Sequence, residues 1–119
     1  MKTMSKYRPE AEELANSWKQ LGVQVKIENV EGLPSDFQMY LGDFRLPKDP
    51  DQYPLWHSGQ RNNITQFKSL RIDKLLEDGR KTTDENERIK IYYDFQKYLI
   101  DESPAVFLYF PYEYVYTRR

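Results

Sequence analysis

Trp18-Lys19-Gln20-Leu21-Gly22-Val23-Gln24-Val25-Lys26-Ile27-Glu28 holds the change of period that decides the fold class. Before Gly22, the residues Ala11, Leu14, Ala15, Trp18 and Leu21 recur at offsets of three and four, one apolar stripe on a helix over 7–21. Pro9 suits the first turn of that helix, and Gly22 suits the residue just past its end. After Gly22 the period becomes two: Val23, Val25 and Ile27 alternate with Gln24, Lys26 and Glu28, as in a half-buried strand. Helix, glycine and alternating strand in direct succession make an α–β unit.

Glu31-Gly32-Leu33-Pro34-Ser35 carries turn chemistry and closes that unit. Phe37, Met39 and Leu41 then alternate with Gln38 and Tyr40, a second short strand reaching to about Phe44. Residues 45–63 hold Pro47, Pro50, Pro54 and Gly59, so a long ordered loop is expected, with one helical turn over 53–57. Leu70, Ile72, Leu75 and Leu76 mark a helix over 69–80, with Gly79 near its stop. Thr82-Thr83-Asp84-Glu85 matches a capping box, its hydroxyl taking an early amide, for a helix whose stripe is Ile89, Tyr92, Phe95 and Leu99. That helix should end near Glu102, because Ser103 precedes Pro104. Residues 105–116 are rich in Val, Phe and Tyr and predict two strand segments, with Pro111 marking a bulge, edge or bend. The order predicts an α/β fold with a mixed sheet flanked by helices.

The 119 residues suffice for one domain at most. At 39% hydrophobic and 31% charged residues the composition is that of a folded soluble chain rather than a disordered one. Its 18 basic residues face 19 acidic ones without a basic block, which argues against a nucleic-acid partner. No apolar run approaches the ~20 residues that span a bilayer. There is no cysteine, so thiolate and disulfide chemistry are excluded.

No catalytic constellation stands out. His57 is the single histidine, and a structural hydrogen-bonding role outweighs a catalytic one for it. No histidine pairing offers a metal site, and Asp49-Pro50-Asp51 reads as a turn before it reads as a cation site. The glycines are too scattered to cradle a phosphate. No enzyme, metal or cofactor is expected.

The stretch Leu41-Gly42-Asp43-Phe44-Arg45-Leu46-Pro47-Lys48-Asp49-Pro50-Asp51-Gln52-Tyr53-Pro54-Leu55-Trp56-His57-Ser58-Gly59-Gln60 resembles the Asp-Pro-Asp-x-Tyr-x-x-Trp-His-Ser segment of solute-binding protein family 5, the oligopeptide, dipeptide and nickel type. Three further blocks agree in order and spacing: the run from Ala11 through Trp18 and Gly22 to Val25; Ile72 to Arg80 followed by Glu87-Arg88; and Ile91-Tyr92 through Asp101-Glu102-Ser103-Pro104 to Pro111. The resemblance covers about residues 10–112.

It implies part of a periplasmic-binding-protein-like (type II) lobe, with 1–119 a single domain or a fragment of a two-lobed clamp. It also implies the substrate-binding role of an ABC importer, capturing oligopeptides or similar small solutes. The implied partners are that solute, a membrane permease and the other lobe, with self-association as a further possibility for the isolated piece. The implied location is the periplasm, or the cell surface as a lipoprotein, with the signal segment absent from this stretch. In the family, an acid before the Asp-Pro step meets a peptide's ammonium and an aromatic lines a pocket, which maps onto Asp43, Phe44 and Arg45. The spacing from Asp43 to Asp49-Pro50 is longer than the simplest family pattern. Phe44 and Trp56 have two readings, ligand-facing or core. The charges at 77–80 read as a solvated face. A stand-alone interaction module built on the same lobe is the alternative function.

Overall fold

In the computed structural model, which describes residues 1–44, 51–110, 112 and 115–118, the chain divides into two compact units, Met1–Leu46 and Pro47–Arg119.

The first unit is organised around a strand that the sequence pattern does not announce. β1 (Lys2–Thr3) lies between β2 (Glu28–Asn29) and β3 (Tyr40–Leu41), and both pairings are parallel. Lys2 stands opposite Glu28 and Tyr40, and Thr3 opposite Asn29 and Leu41. Thr3 is fully buried at the centre, where its hydroxyl donates to the Leu41 carbonyl at 2.9 Å. Between β1 and β2 runs α1 (Arg8–Lys19), entered through a 3-10 turn at Ser5–Tyr7. Pro9 sits in its first turn and Ala11 is fully buried, with Leu14, Ala15 and Trp18 half-buried beside it. Leu21 falls off this stripe and is exposed, because the helix closes before it.

The close is a Schellman motif. Gly22 takes φ +84°, its N–H reaches the Lys19 carbonyl at 3.0 Å, and the Val23 N–H reaches the Trp18 carbonyl at 3.0 Å. Past it, Val25 and Ile27 are half-buried between exposed neighbours, so the alternation expected of a strand is present in the burial. Ladder pairing is limited to Glu28–Asn29, and the same holds for Tyr40–Leu41 within the expected strand over 37–44. The physical reason is the partner: β1 offers two residues, and a strand is as long as its ladder. The α/β class stands. The mixed sheet expected from the sequence is, over the described strands, parallel.

The second unit is a helix pair with a loop laid on it. α2 (Tyr53–Trp56) is a single turn, α3 spans Leu70–Lys81, and α4 spans Glu85–Glu102. Trp56, Ile72, Leu76, Phe95 and Leu99 form the buried apolar core. Ile89 and Leu70, expected on the apolar stripes, face outward.

Gly79 does not stop α3. It lies buried in the last turns, where a Cβ would come within 3.3 Å of the Tyr92 ring, so it lets the two helices approach closely. The stop is Thr82, whose N–H and hydroxyl both donate to the Asp78 carbonyl at 2.9 and 2.8 Å. The cap of α4 is accordingly Asp84, not a threonine: its carboxylate accepts from the Glu87 N–H at 2.9 Å. Ser103 ends α4 in a left-handed conformation at φ 49°, one residue before Pro104.

No strand forms among the described residues of 105–118, contrary to the two segments expected there. High strand propensity reflects side-chain fit to a pleated surface and produces a strand only where a ladder partner is present. Pro111, expected to bend that segment, lies outside the described residues.

Candidate functional site

Parallel α/β sheets bind ligands beyond the carboxyl ends of their strands, where the connections leave room and the exposed polar groups converge. In the first unit, β1 leads at that end to Lys6 and β3 leads to Gly42-Asp43-Phe44. The Lys6 ammonium reaches the Asp43 carboxylate at 3.0 Å and lies 4.6 Å from the centre of the Tyr7 ring. The hydrogen bond from Lys6 holds the Asp43 carboxyl below its ordinary range, and Asp43 holds the Lys6 ammonium above its own. Burial, with the Asp43 charge adding, pushes the Tyr40 phenol up. At the end of β2, Arg8 donates to the Asn29 side chain at 3.1 Å and to Glu12 at 2.8 Å.

Two features make this edge a receptive surface. The Tyr40 ring lies across Gly42 so closely that a Cβ there would meet it at 2.6 Å, which keeps residue 42 without a side chain. Asp43 is 40% exposed and already holds a primary ammonium, so its carboxylate has the geometry and charge to hold another. Phe44 follows, half-buried. Arg45 lies outside the described residues, as do Asp49 and Pro50.

In the second unit, the rest of the Asp-Pro-Asp-x-Tyr-x-x-Trp-His-Ser stretch is fastened to α3. Asp51 takes a forked ion pair from Arg80, with distances of 2.6–3.1 Å, and accepts the Tyr53 N–H at 3.1 Å. The Arg80 contact keeps the Asp51 carboxyl below its usual range against the opposing effect of burial. The Arg80 guanidinium also covers the Tyr53 ring at 4.0 Å, and Tyr53 stacks on His57 at 4.2 Å. His57 accepts the Gly59 N–H at 3.1 Å on Nδ1 and turns Nε2 to Glu77 at 3.6 Å. Ser58 donates its N–H to Asp73 at 2.8 Å and its hydroxyl to the other carboxylate oxygen. Buried Asn63 donates to the Phe67 carbonyl at 2.9 Å and accepts from Thr65 at 2.8 Å.

Asp73, Glu77 and Arg80 are spaced by four and three on α3, which puts them on one face. They meet Ser58, His57 and Asp51 in reverse order along the loop. The charges at 77–80 are therefore fasteners rather than a merely solvated face, and the spacing of 73, 77 and 80 was the signal available for it. Trp56, a candidate ligand contact, is 4% exposed and meets Phe107 edge-on at 6.3 Å. A ligand could reach its indole only after those neighbours part. Lys6, the partner of Asp43, was missed by sequence reasoning because its place depends on the unannounced β1. Among the described residues, no group of three or more acids and histidines could hold a metal.

A short parallel sheet with a crossing helix and a helix pair carrying a fastened loop define part of a periplasmic-binding-protein-like fold. No protein-family model matches the chain. The oligopeptide-binding protein AppA of Bacillus subtilis (strain 168) is 30% identical over 105 residues, which cover 78% of this chain and 19% of that protein. The solved structure of AppA in complex with a nonapeptide matches with a TM-score of 0.78 at 27% identity, over 87% of this chain and 23% of that one. The two likenesses bear out the resemblance to solute-binding protein family 5. The chain spans about a fifth of the length of the relative it matches.

Proposed function

We propose that this chain supplies one lobe's part of the peptide site in a substrate-binding component of an ABC importer. What supports the reading is the likeness to an oligopeptide-binding protein over most of the chain, together with an accessible carboxylate at the carboxyl end of the sheet. In this reading Asp43 takes the ammonium group of a peptide, displacing Lys6, and Phe44 is the aromatic contact next to it in the chain. The role is capture without turnover, as the likeness to an oligopeptide-binding protein supports. The other lobe of the clamp closes over the bound solute, a membrane permease receives it, and the setting is the periplasm or the outer cell surface.

Binding to one side of a clamp is weak, so the test must register millimolar contact. Two-dimensional NMR of the chain is recorded with a short peptide and with its N-acetylated form. The free peptide is expected to shift the amides of Lys6, Asp43 and Phe44, and the acetylated one to leave them unmoved. Equal shifts from both peptides, or shifts confined to other residues, would overturn the assignment.

A further inference from the structure

Lys6 leaves β1 in the 3-10 turn Ser5–Tyr7, which the Tyr7 N–H closes onto the Met4 carbonyl at 2.9 Å. β1 and β3 are parallel, with Thr3 opposite Leu41, so the turn carrying Lys6 and the residue carrying the Asp43 carboxylate leave the sheet side by side. The backbone thus keeps the Lys6 stem within reach of Asp43, and the side chain needs only its own rotamers to make the 3.0 Å contact. A group tethered in this way acts at an effective concentration on the order of millimolar.

The Lys6 ammonium lies between the carboxylate and the Tyr7 ring, whose centre is 4.6 Å away. A carboxylate and an aromatic face are groups that hold a primary ammonium of any origin. The free amino terminus of a peptide is such an ammonium at neutral pH. Lys6 and a peptide terminus therefore want the same place. A second ammonium on the other Asp43 oxygen would stand beside the first at like charge, and one carboxylate cannot neutralise both. The hydrogen bond between them lowers the Asp43 carboxyl and raises the Lys6 ammonium, so both stay charged at neutral pH and the rivalry is present there.

We infer that Lys6 is a built-in competitor of the solute's ammonium, which weakens the hold of Asp43 on a free amino terminus and narrows its preference for a free terminus over a blocked one. The inference rests on the peptide reading of Asp43 given above. Its size follows from exposure. The Lys6 and Asp43 side chains are 56% and 40% exposed, so theirs is an ordinary surface pair. Such a pair is closed about 1.4 to 5 times as often as it is open. A solute that must first open it binds about two- to sixfold more weakly than it would to the carboxylate alone. A solute without an ammonium does not contend with Lys6 and is spared that loss.

Lys6→Met keeps an unbranched apolar stem beside Tyr7 and removes the charge. The whole chain and this variant are titrated with trialanine and with N-acetyl-trialanine by two-dimensional NMR at neutral pH and fixed ionic strength. The trialanine Kd, read at the Asp43 and Phe44 amides, is expected to fall about two- to sixfold in Lys6→Met. The acetylated peptide is expected to move neither chain. Lys6→Arg, whose guanidinium pairs with a carboxylate through two bonds, should raise the trialanine Kd above that of the unaltered chain. A trialanine Kd that is unchanged or higher in Lys6→Met overturns the competition while the peptide site stands, with Lys6 then a contact of the solute or no part of the site. A gain shared by the acetylated peptide overturns it as well, because Lys6 would then exclude solute by bulk rather than by charge. Trialanine that moves neither Asp43 nor Phe44 in either chain overturns the peptide reading, and the competition falls with it.

Discussion

Asp73 is 8% exposed, and both of its oxygens are taken by Ser58, one bond from the backbone and one from the hydroxyl. Asp73→Ala leaves two donors of a half-buried loop without an acceptor, which costs about 1–3 kcal/mol. Urea unfolding followed by circular dichroism checks this, and Asp73→Asn, which keeps one acceptor, should fall between the two. A loss as small as that of an exposed surface change would mean that water replaces the carboxylate and that the loop is held elsewhere. Asp43 and Lys6 make a different kind of pair, because both stand in solvent. Asp43 is depressed in the folded chain, so its contribution is present above the unfolded pKa and lost as pH falls through the lower folded value. Lys6 is raised, so its contribution is full below the unfolded pKa and lost only as pH climbs through the higher folded value. The contact is therefore constant through neutral pH and weakens in acid. Carboxyl carbon NMR should place the Asp43 midpoint below the ordinary 3.8, and Lys6→Met should move it back upward. An unchanged midpoint in that variant would remove Lys6 as the cause.

At the scale of elements, one substitution separates two uses of glycine. Gly22→Ala meets nothing within 4 Å, yet it must hold φ +84°, so a loss of about 1–2 kcal/mol is expected. Gly79→Ala sits in a helix, where alanine gains about 1 kcal/mol, but its Cβ comes 3.3 Å from the Tyr92 ring. The two effects oppose, so thermal unfolding should show a change at Gly79 smaller than the loss at Gly22. The full helical gain at Gly79 would show that Tyr92 yields freely. These two sites also mark where the sequence was informative. The end of α1 was legible at Gly22 because a Schellman close is local chemistry, written in adjacent residues. Gly79 looked like another stop because its neighbour Tyr92 is on a different helix, and spacing along one helix cannot show that. The same limit explains β1: Lys2 and Thr3 have no apolar period, and only the two strands beside them make them one. It explains 105–110 in the opposite sense, since the strand pattern was plain and the partner was not. For the candidate site, Asp43 and Phe44 were put forward through the family-like stretch, whereas the Lys6 contact and the Asp73–Glu77–Arg80 face needed the fold.

Across the molecule, the two units are held by unequal cores. Among the described residues, the first unit fully buries one apolar side chain, Ala11, and centres its sheet on Thr3, whereas the second buries Trp56, Ile72, Leu76, Phe95 and Leu99. Each large side chain covered in this way contributes about 1.5–3 kcal/mol, and a unit as short as Met1–Leu46 has little other apolar area to bury. Local opening should follow that inequality. Native-state hydrogen exchange is expected to be faster at the ladder amides of Lys2, Glu28 and Val30, bonded at 2.8–2.9 Å, than at Leu76 and Leu99 within α3 and α4. Ladder amides as slow as those of the helix pair would show that the sheet opens only with the whole chain. The expected order has a consequence for binding, because Lys6 and Asp43 belong to the less protected unit. A solute held by Asp43 at the carboxyl end of the sheet binds only while that unit is folded and should slow exchange there more than in α3 or α4. A peptide that slows exchange only in the helix pair would place the site in the second unit instead.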